Sequence, residues 1–168
     1  TPDFYGGLST NLSYRGFDLS VLFAYSWGGL VYDALYAQIM HDGNQAGAQM
    51  HKDELKAWTS SNTNTNVPKY VNNNTNASDG VSTRFLYDAT NIKLKNVTLS
   101  YTLPSGLKPV SDVLKGARIF VSADNLFTWF KDDWKGYSDI DIFGIGGYNT
   151  LTAIPVPTTL TMGFNLTF

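Results

Sequence analysis

The sequence contains no cysteine, which removes disulfide frameworks, thiolate metal sites and cysteine nucleophiles together. Charge is scarce: Asp, Glu, Lys and Arg make up 15% of the 168 residues, against about a quarter in an ordinary domain. With a net charge of -2 there is no basic field to gather a polyanion, so nucleic acid is not an expected partner. No apolar run approaches the ~20 residues of a membrane-spanning helix, and any crossing of a bilayer must therefore be made by strands. Histidine occurs only as His41 and His51, without the HExxH spacing of a helical zinc site. There is no GxSxG elbow to anchor a hydrolase. No catalytic residue, cofactor or metal is expected. The opening Thr-Pro-Asp brings neither an initiator Met nor a signal peptide, and reads as a processed protein or a piece of a longer one.

What the chain does have is aromatics, with ten Tyr, ten Phe and four Trp, and long alternating stretches. In the closing run Val156–Phe168, Leu160, Met162, Phe164, Leu166 and Phe168 share one parity. Thr159, Thr161, Gly163, Asn165 and Thr167 share the other. A period of two is an extended strand with one apolar face. A soluble sandwich would usually put Lys or Glu on the wet face, and this face has no charge. Near the start, Phe4 to Tyr14 and Phe17 to Trp27 alternate in the same way around Arg15-Gly16, the pattern of a hairpin with a two-residue turn. Each run is as long as a tilted strand that crosses a bilayer, and about twice an ordinary strand.

The remaining strands are expected over 85–103 and 117–130, giving 4–14, 17–28, 85–103, 117–130 and 156–168 in all. The third changes parity near Lys95-Asn96, which points to a bulge or a change of environment. In the fourth, Ile119, Val121 and Ala123 oppose Arg118, Phe120, Ser122 and Asp124, so both faces hold apolar groups and its orientation stays open. The connection over 29–84 reads as a short helix or irregular chain at Val31–Met40 and a helical stretch at Ala46–Thr59. An Asn-, Thr- and Ser-rich segment, Ser60–Gly80, follows as a surface loop or disordered chain. The second long connection is 131–155. Short and long connections alternate, as in outer-membrane barrels with short periplasmic turns and long external loops. That order places Arg15-Gly16 and Phe168 at the periplasmic end and both long connections outside. Five strands cannot close a barrel, and an open sheet in lipid would leave unpaired backbone at both edges. The expected fold is all-β: part of a larger transmembrane barrel.

Several stretches now carry a family resemblance: FLYDATNIKLKNVTLSYTLP (Phe85 to Pro104), RIFVSADNLFTWF (Arg118 to Phe130), TPDFYGGLS with GFDLSVLFAYSWGG, and the terminal TMGFNLTF. In matching order over nearly the whole chain, they resemble SusC/RagA-type TonB-dependent transporters of Bacteroidetes. The resemblance implies a 22-stranded barrel, of which this chain supplies the last five strands. It implies an upstream plug domain on which TonB pulls, a SusD-like surface lipoprotein as lid, and import of oligosaccharides or peptides across the outer membrane. It also implies an insertion signal in Thr161, Gly163, Leu166 and Phe168.

Candidate contacts for substrate or lid are the loop aromatics Tyr32, Tyr36, Trp58 and Tyr70 in the first long connection and Trp134, Tyr137 and Tyr148 in the second. Rings of this kind stack on a sugar face or anchor an interface, and equally they pack loops or form an aromatic girdle. Asp139 and Asp141 offer carboxylates to a cation, but a calcium loop needs more oxygen ligands and a closing Glu. Loop hydrogen bonding accounts for both. The competing reading of the whole chain is a soluble β-sandwich glycan-binding module that uses Trp58 or Trp134 as a stacking platform.

Overall fold

A computed structural model describes residues 1–104, 116–131 and 156–168. Two compact units emerge. One consists of Pro2–Gly29, Ala89–Lys131 and Val156–Phe168; the other includes Leu30–Asp88.

The first unit is a five-stranded antiparallel sheet in which each strand pairs with its neighbour in the order β1-β2-β5-β6-β7. Its strands are β1 (Phe4–Tyr14), β2 (Phe17–Trp27), β5 (Asn91–Thr102), β6 (Gly116–Phe130) and β7 (Thr159–Thr167). Arg15 and Gly16 join β1 to β2 with φ of 48° and 86°. Two consecutive left-handed residues make the turn whose twist matches that of the flanking strands. A Cβ on Gly16 would lie 2.7 Å from the Thr102 carbonyl oxygen, so this position has both a conformational and a steric reason to be glycine.

Register converts the alternation into faces. Leu12 pairs with Leu19, Leu19 with Leu99, Leu99 with Val121 and Val121 with Met162. The next row reads Thr10, Val21, Val97, Ala123 and Leu160. One face is therefore apolar across all five strands. β6 falls into line, with Ile119, Val121 and Ala123 on that face and Phe120 on the other, which resolves the ambiguity in its pattern. The Phe120 ring lies over Gly163, directly across the pair: a Cβ there would sit 2.7 Å from Phe120 Cζ.

Register shifts where the parity changes. On β5, Leu94 pairs with Phe23 while Asn96 pairs with Leu22, so β5 has one residue, Lys95, more than β2 at this point. On the β6 side, Leu94 pairs with Phe127 and Asn96 with Asp124, so Asn125 and Leu126 stand against the single Lys95 and β6 has one residue more. Asn125 is left-handed, at φ 52°. Its carbonyl accepts a bond from Thr158 Oγ1 at 2.9 Å and its Nδ2 donates to the Pro157 carbonyl at 3.4 Å, which ties the bulge to the approach of β7.

The second unit departs from the sequence pattern in two places, and bears out a short helix within Val31–Met40. The third expected strand does not start at Phe85. A 3-10 turn at Thr83–Phe85 leads into β4 (Leu86–Asp88), which pairs with β3 (Leu30–Tyr32) in a separate two-stranded sheet, and β5 begins only at Asn91. Val31–Met40 contains the end of β3 and a helix, α1 (Ala34–Ile39), where Asp33 caps the N-terminus by accepting from the Tyr36 N–H at 2.9 Å. Ala46–Thr59 does not form the expected helix: Gly47 is left-handed at φ 80°, and only Lys52–Lys56 turns, as a 3-10 segment. Leu55, within that turn, is 91% exposed. The core consists of Tyr32, Tyr36, Ala37, Met40, Val67 and Phe85. Among the described residues no helix is long and apolar enough to cross a membrane.

Candidate functional site

The sheet's apolar face is not a core. Leu8, Leu12, Leu160, Met162 and Phe164 lie on it between 60% and 73% exposed. Side chains of this kind over strands of 9 to 15 residues form a patch far larger than a soluble monomer leaves bare. Rings gather towards the strand ends: Phe17 meets Tyr101 at 4.5 Å beside the Arg15-Gly16 turn, and Phe4 stacks on Trp27 at 6.0 Å at the opposite end. Aliphatic rows fill the middle. Aromatic girdles around an aliphatic band are what lipid selects on a barrel exterior.

The opposite face is polar and internally bonded. Asn96 Nδ2 donates to Asp124 Oδ1 at 2.7 Å and to Ser122 Oγ at 3.0 Å. Thr98 Oγ1 donates to Asn96 Oδ1 at 3.0 Å, Arg118 Nη2 to Ser100 Oγ at 2.8 Å, and Ser13 Oγ to Asp18 Oδ1 at 2.5 Å. Ladders of this type hold a water-facing wall in shape without apolar cover. A soluble sandwich would need a second sheet to bury the apolar face. Among the described residues the other sheet has two strands of three residues each.

In the Leu30–Asp88 unit the structure separates the candidate aromatics. Tyr32 and Tyr36 are both 8% exposed. Their rings pack edge-on to Phe85 at 6.1 and 5.9 Å, and Tyr36 Oη donates to Asp53 Oδ2 at 2.9 Å. Burial, then that bond, raises the Tyr36 pKa above the ordinary phenol value. These two rings are core residues because a unit with little regular structure needs large side chains to fill its interior, and they are withdrawn from any ligand. Trp58 and Tyr70 stay accessible, at 41% and 42%. An open polar groove of about 530 Å³, lined by Lys56, Asn62, Asn64, Thr65 and Asn66, lies in the Asn-rich stretch. Asn62 Nδ2 bonded to the Lys56 and Ala57 carbonyls, and Thr65 Oγ1 to the Lys56 carbonyl, give that stretch a defined path. Trp134, Tyr137, Tyr148, Asp139 and Asp141 lie outside the described residues. Among the described residues no cluster of three His, Asp or Glu could hold a metal.

Of the terminal motif, Leu166 and Phe168 are exposed apolar groups, Thr161 faces the polar side, and Gly163 lies under the Phe120 ring. The sequence reading missed a set of buried charges. Asp42 is fully buried and bonded by both Arg84 nitrogens, at 2.6 and 3.2 Å. Glu54, 7% exposed, accepts the Asp42 N–H at 3.0 Å. Asp53, also buried, takes Lys56 Nζ at 2.7 Å, and that bond holds its carboxyl below the ordinary aspartate value. No local pattern marks these residues, because their partners lie up to 42 residues away.

A sheet of long antiparallel strands with a ringed apolar face and a bonded polar face is a section of transmembrane β-barrel wall. Comparison with known proteins defines the family. No family model matches the chain. It is 30% identical over 180 residues to TonB-dependent receptor P3 of Formosa agariphila and 29% identical over 173 residues to TonB-dependent receptor P26 of the same organism. Those alignments cover 100% and 99% of this chain but 16% and 17% of the relatives' lengths. Among solved structures, the RagAB peptide transporter superposes with a TM-score of 0.82 at 30% identity, over 100% of this chain and 18% of that one. The RagAB peptide importer in its closed-closed state gives 0.79, also at 30% identity, over 100% of this chain and 17% of that chain. The chain is a homologue of the TonB-dependent receptors of the SusC/RagA type.

Proposed function

We propose that this chain forms wall and outer loops of a 22-stranded outer-membrane importer. TonB, acting through a plug domain elsewhere in the protein, would drive it, and a SusD-like lipoprotein would cap it while it takes up oligosaccharides or peptides. The observation that carries this reading is the apolar face running unbroken across five strands, with the likeness to RagAB as its family context. In this reading β7 and β1 are joined at their outer edges to strands outside this chain, which satisfies backbone groups that lipid would leave unbonded. The Arg15-Gly16 turn and Phe168 face the periplasm, and 29–84 and 131–155 face the medium. Trp58 and Tyr70 are the described aromatics available to a substrate or lid, with Trp134, Tyr137 and Tyr148 completing the set. Leu166 and Phe168, with Thr161 and Gly163, serve as the insertion signal.

The orientation is tested by thiol labelling. The chain has no cysteine, so a single introduced thiol in these residues reports one position. Leu55→Cys in intact cells should react with a membrane-impermeant maleimide. Arg15→Cys should react only after the outer membrane is permeabilised. The reverse pattern refutes the orientation, and labelling of Met162→Cys as fast as Leu55→Cys refutes the lipid-facing wall.

A further inference from the structure

Two carboxyl groups, Asp42 and Glu54, are buried together in the Leu30–Asp88 unit. Asp42 belongs to the chain following α1, where it holds a left-handed φ of 49° before Gly43 at φ 92°. Glu54 belongs to the Lys52–Lys56 turn. Arg84, from the Thr83–Phe85 turn, forks onto both oxygens of Asp42. One guanidinium thus faces two carboxyls. Glu54 Oε1 accepts the Asp42 N–H, but Glu54 Oε2 is buried with no donor among the described residues. The bond from the Asp42 N–H thereby holds the Glu54 carboxyl beside the residue that bears the second one. Two carboxylates cannot bond to one another without a proton between them, and ionising both in a buried site is strongly unfavourable.

We propose that Glu54 and Asp42 share one proton, with Glu54 the neutral acid donating to the Asp42 carboxylate, and that this proton latches the segment after α1 and the Lys52–Lys56 turn onto Arg84. The relay runs from Glu54 O–H to Asp42 to the Arg84 guanidinium and crosses three segments with little other regular structure. Burial, and then the neighbouring Asp42 charge, raise the Glu54 pKa above the ordinary 4.5, against the pull of the Asp42 N–H and Arg84. A raised folded-state pKa means that the latch is fully present below 4.5 and is lost as pH rises through the folded value. The unit is therefore tightest in acid and opens more often as its surroundings turn alkaline.

The other titratable groups of these elements are Lys52, Asp53 and Lys56 on the turn itself, His51 at its cap, His41 beside Asp42 and Tyr36 on α1. Asp53 is satisfied by Lys56 and Tyr36. His41 Nδ1 accepts the Gly43 and Gln45 N–H groups, and His51 Nδ1 accepts that of Asp53. The test separates Glu54 from these neighbours.

The experiment is hydrogen exchange of peptides from residues 34–88 in the full-length protein in lipid, from pH 4.5 to 8, corrected for intrinsic exchange. Wild-type protection should fall about tenfold for each unit by which the folded Glu54 pKa exceeds 4.5. Glu54→Gln keeps the oxygen that accepts the Asp42 N–H and supplies an N–H for the Asp42 carboxylate, so it should hold high protection across the range. Asp79→Asn, which removes a charge from the same unit at a residue bonded to Asn44, should keep the wild-type slope. A flat wild-type profile overturns the proposal. So does an unchanged slope in Glu54→Gln, which would assign the effect to a group other than Glu54. Equal flattening by Asp79→Asn would reduce it to net charge and also overturn it.

Discussion

Met162 and Thr161 are consecutive in β7 and point to opposite faces of the sheet, so replacing each by Arg probes the wall directly. Met162 is 73% exposed on the apolar side and pairs with Val121. It lies six residues before Phe168. At about 3.3 Å per residue and a strand tilt of about 40°, that places it roughly 15 Å along the membrane normal from the terminal ring, near the middle of an apolar band about 25 Å tall. A guanidinium at such a depth costs about 2–4 kcal/mol, which is 30-fold or more in an unfolding equilibrium. Thr161 pairs with Ser122 on the polar face, and an Arg there meets water and neighbouring hydroxyls at a cost of about 0.5 kcal/mol or less. Urea titration of each full-length variant reconstituted in lipid vesicles measures both. Met162→Arg should lower the unfolding midpoint markedly and Thr161→Arg hardly at all. Equal shifts, or the larger shift at Thr161, would refute the assignment of faces.

Other substitutions test individual contacts. Gly163→Ala brings a Cβ against the Phe120 ring and should destabilise by about 1 kcal/mol. In a Phe120→Ala background the penalty should shrink, which a double-mutant cycle reads. Gly16→Ala forces φ 86° on a residue with a Cβ and presses it on the Thr102 carbonyl, so a loss of about 1–2 kcal/mol is expected in the same titration. Arg84→Met strips the guanidinium from the fully buried Asp42 and should cost about 3–5 kcal/mol. Limited proteolysis should then cut within residues 34–88 while the sheet stays resistant; uncut loops would show that Asp42 finds another partner.

Much of the sheet was legible because its determinants are local. Tyr14-Arg15-Gly16-Phe17 carries its own turn chemistry, and the parity change at Lys95 lies in the sequence itself. β6 could not be oriented from its own residues, since Phe120 breaks the alternation to cover Gly163, 43 positions later. The expected strand over 85–103 failed at Ala89-Thr90 for a related reason: β4 owes its identity to pairing with β3, and no periodicity reports a distant partner. Tyr32 and Tyr36 resembled surface aromatics because a loop pattern does not reveal that the loop has a core of its own. The carboxyl pair was invisible for the same reason. Asp42 and Glu54 lie in no motif and no periodic stretch, and only folding buries them in the unit that contains Arg84.

The register shifts at Lys95 and Asn125-Leu126 have a consequence for curvature. A bulge increases the right-handed twist of its strand and bends it, and a sheet that is to close on itself needs bending at chosen points. Here the extra residues fall side by side on two adjacent strands. The bend is thereby gathered into a crease across the middle of the sheet, and Thr158 and Asn125 pin the next strand to it. Deleting Lys95 would leave Leu94, Asn96 and Val97 in perfect alternation, a strand that looks more regular on paper and is straighter in space. Lys95 thus adds one residue to β5 relative to β2, and what it specifies is the radius to which the wall can be rolled.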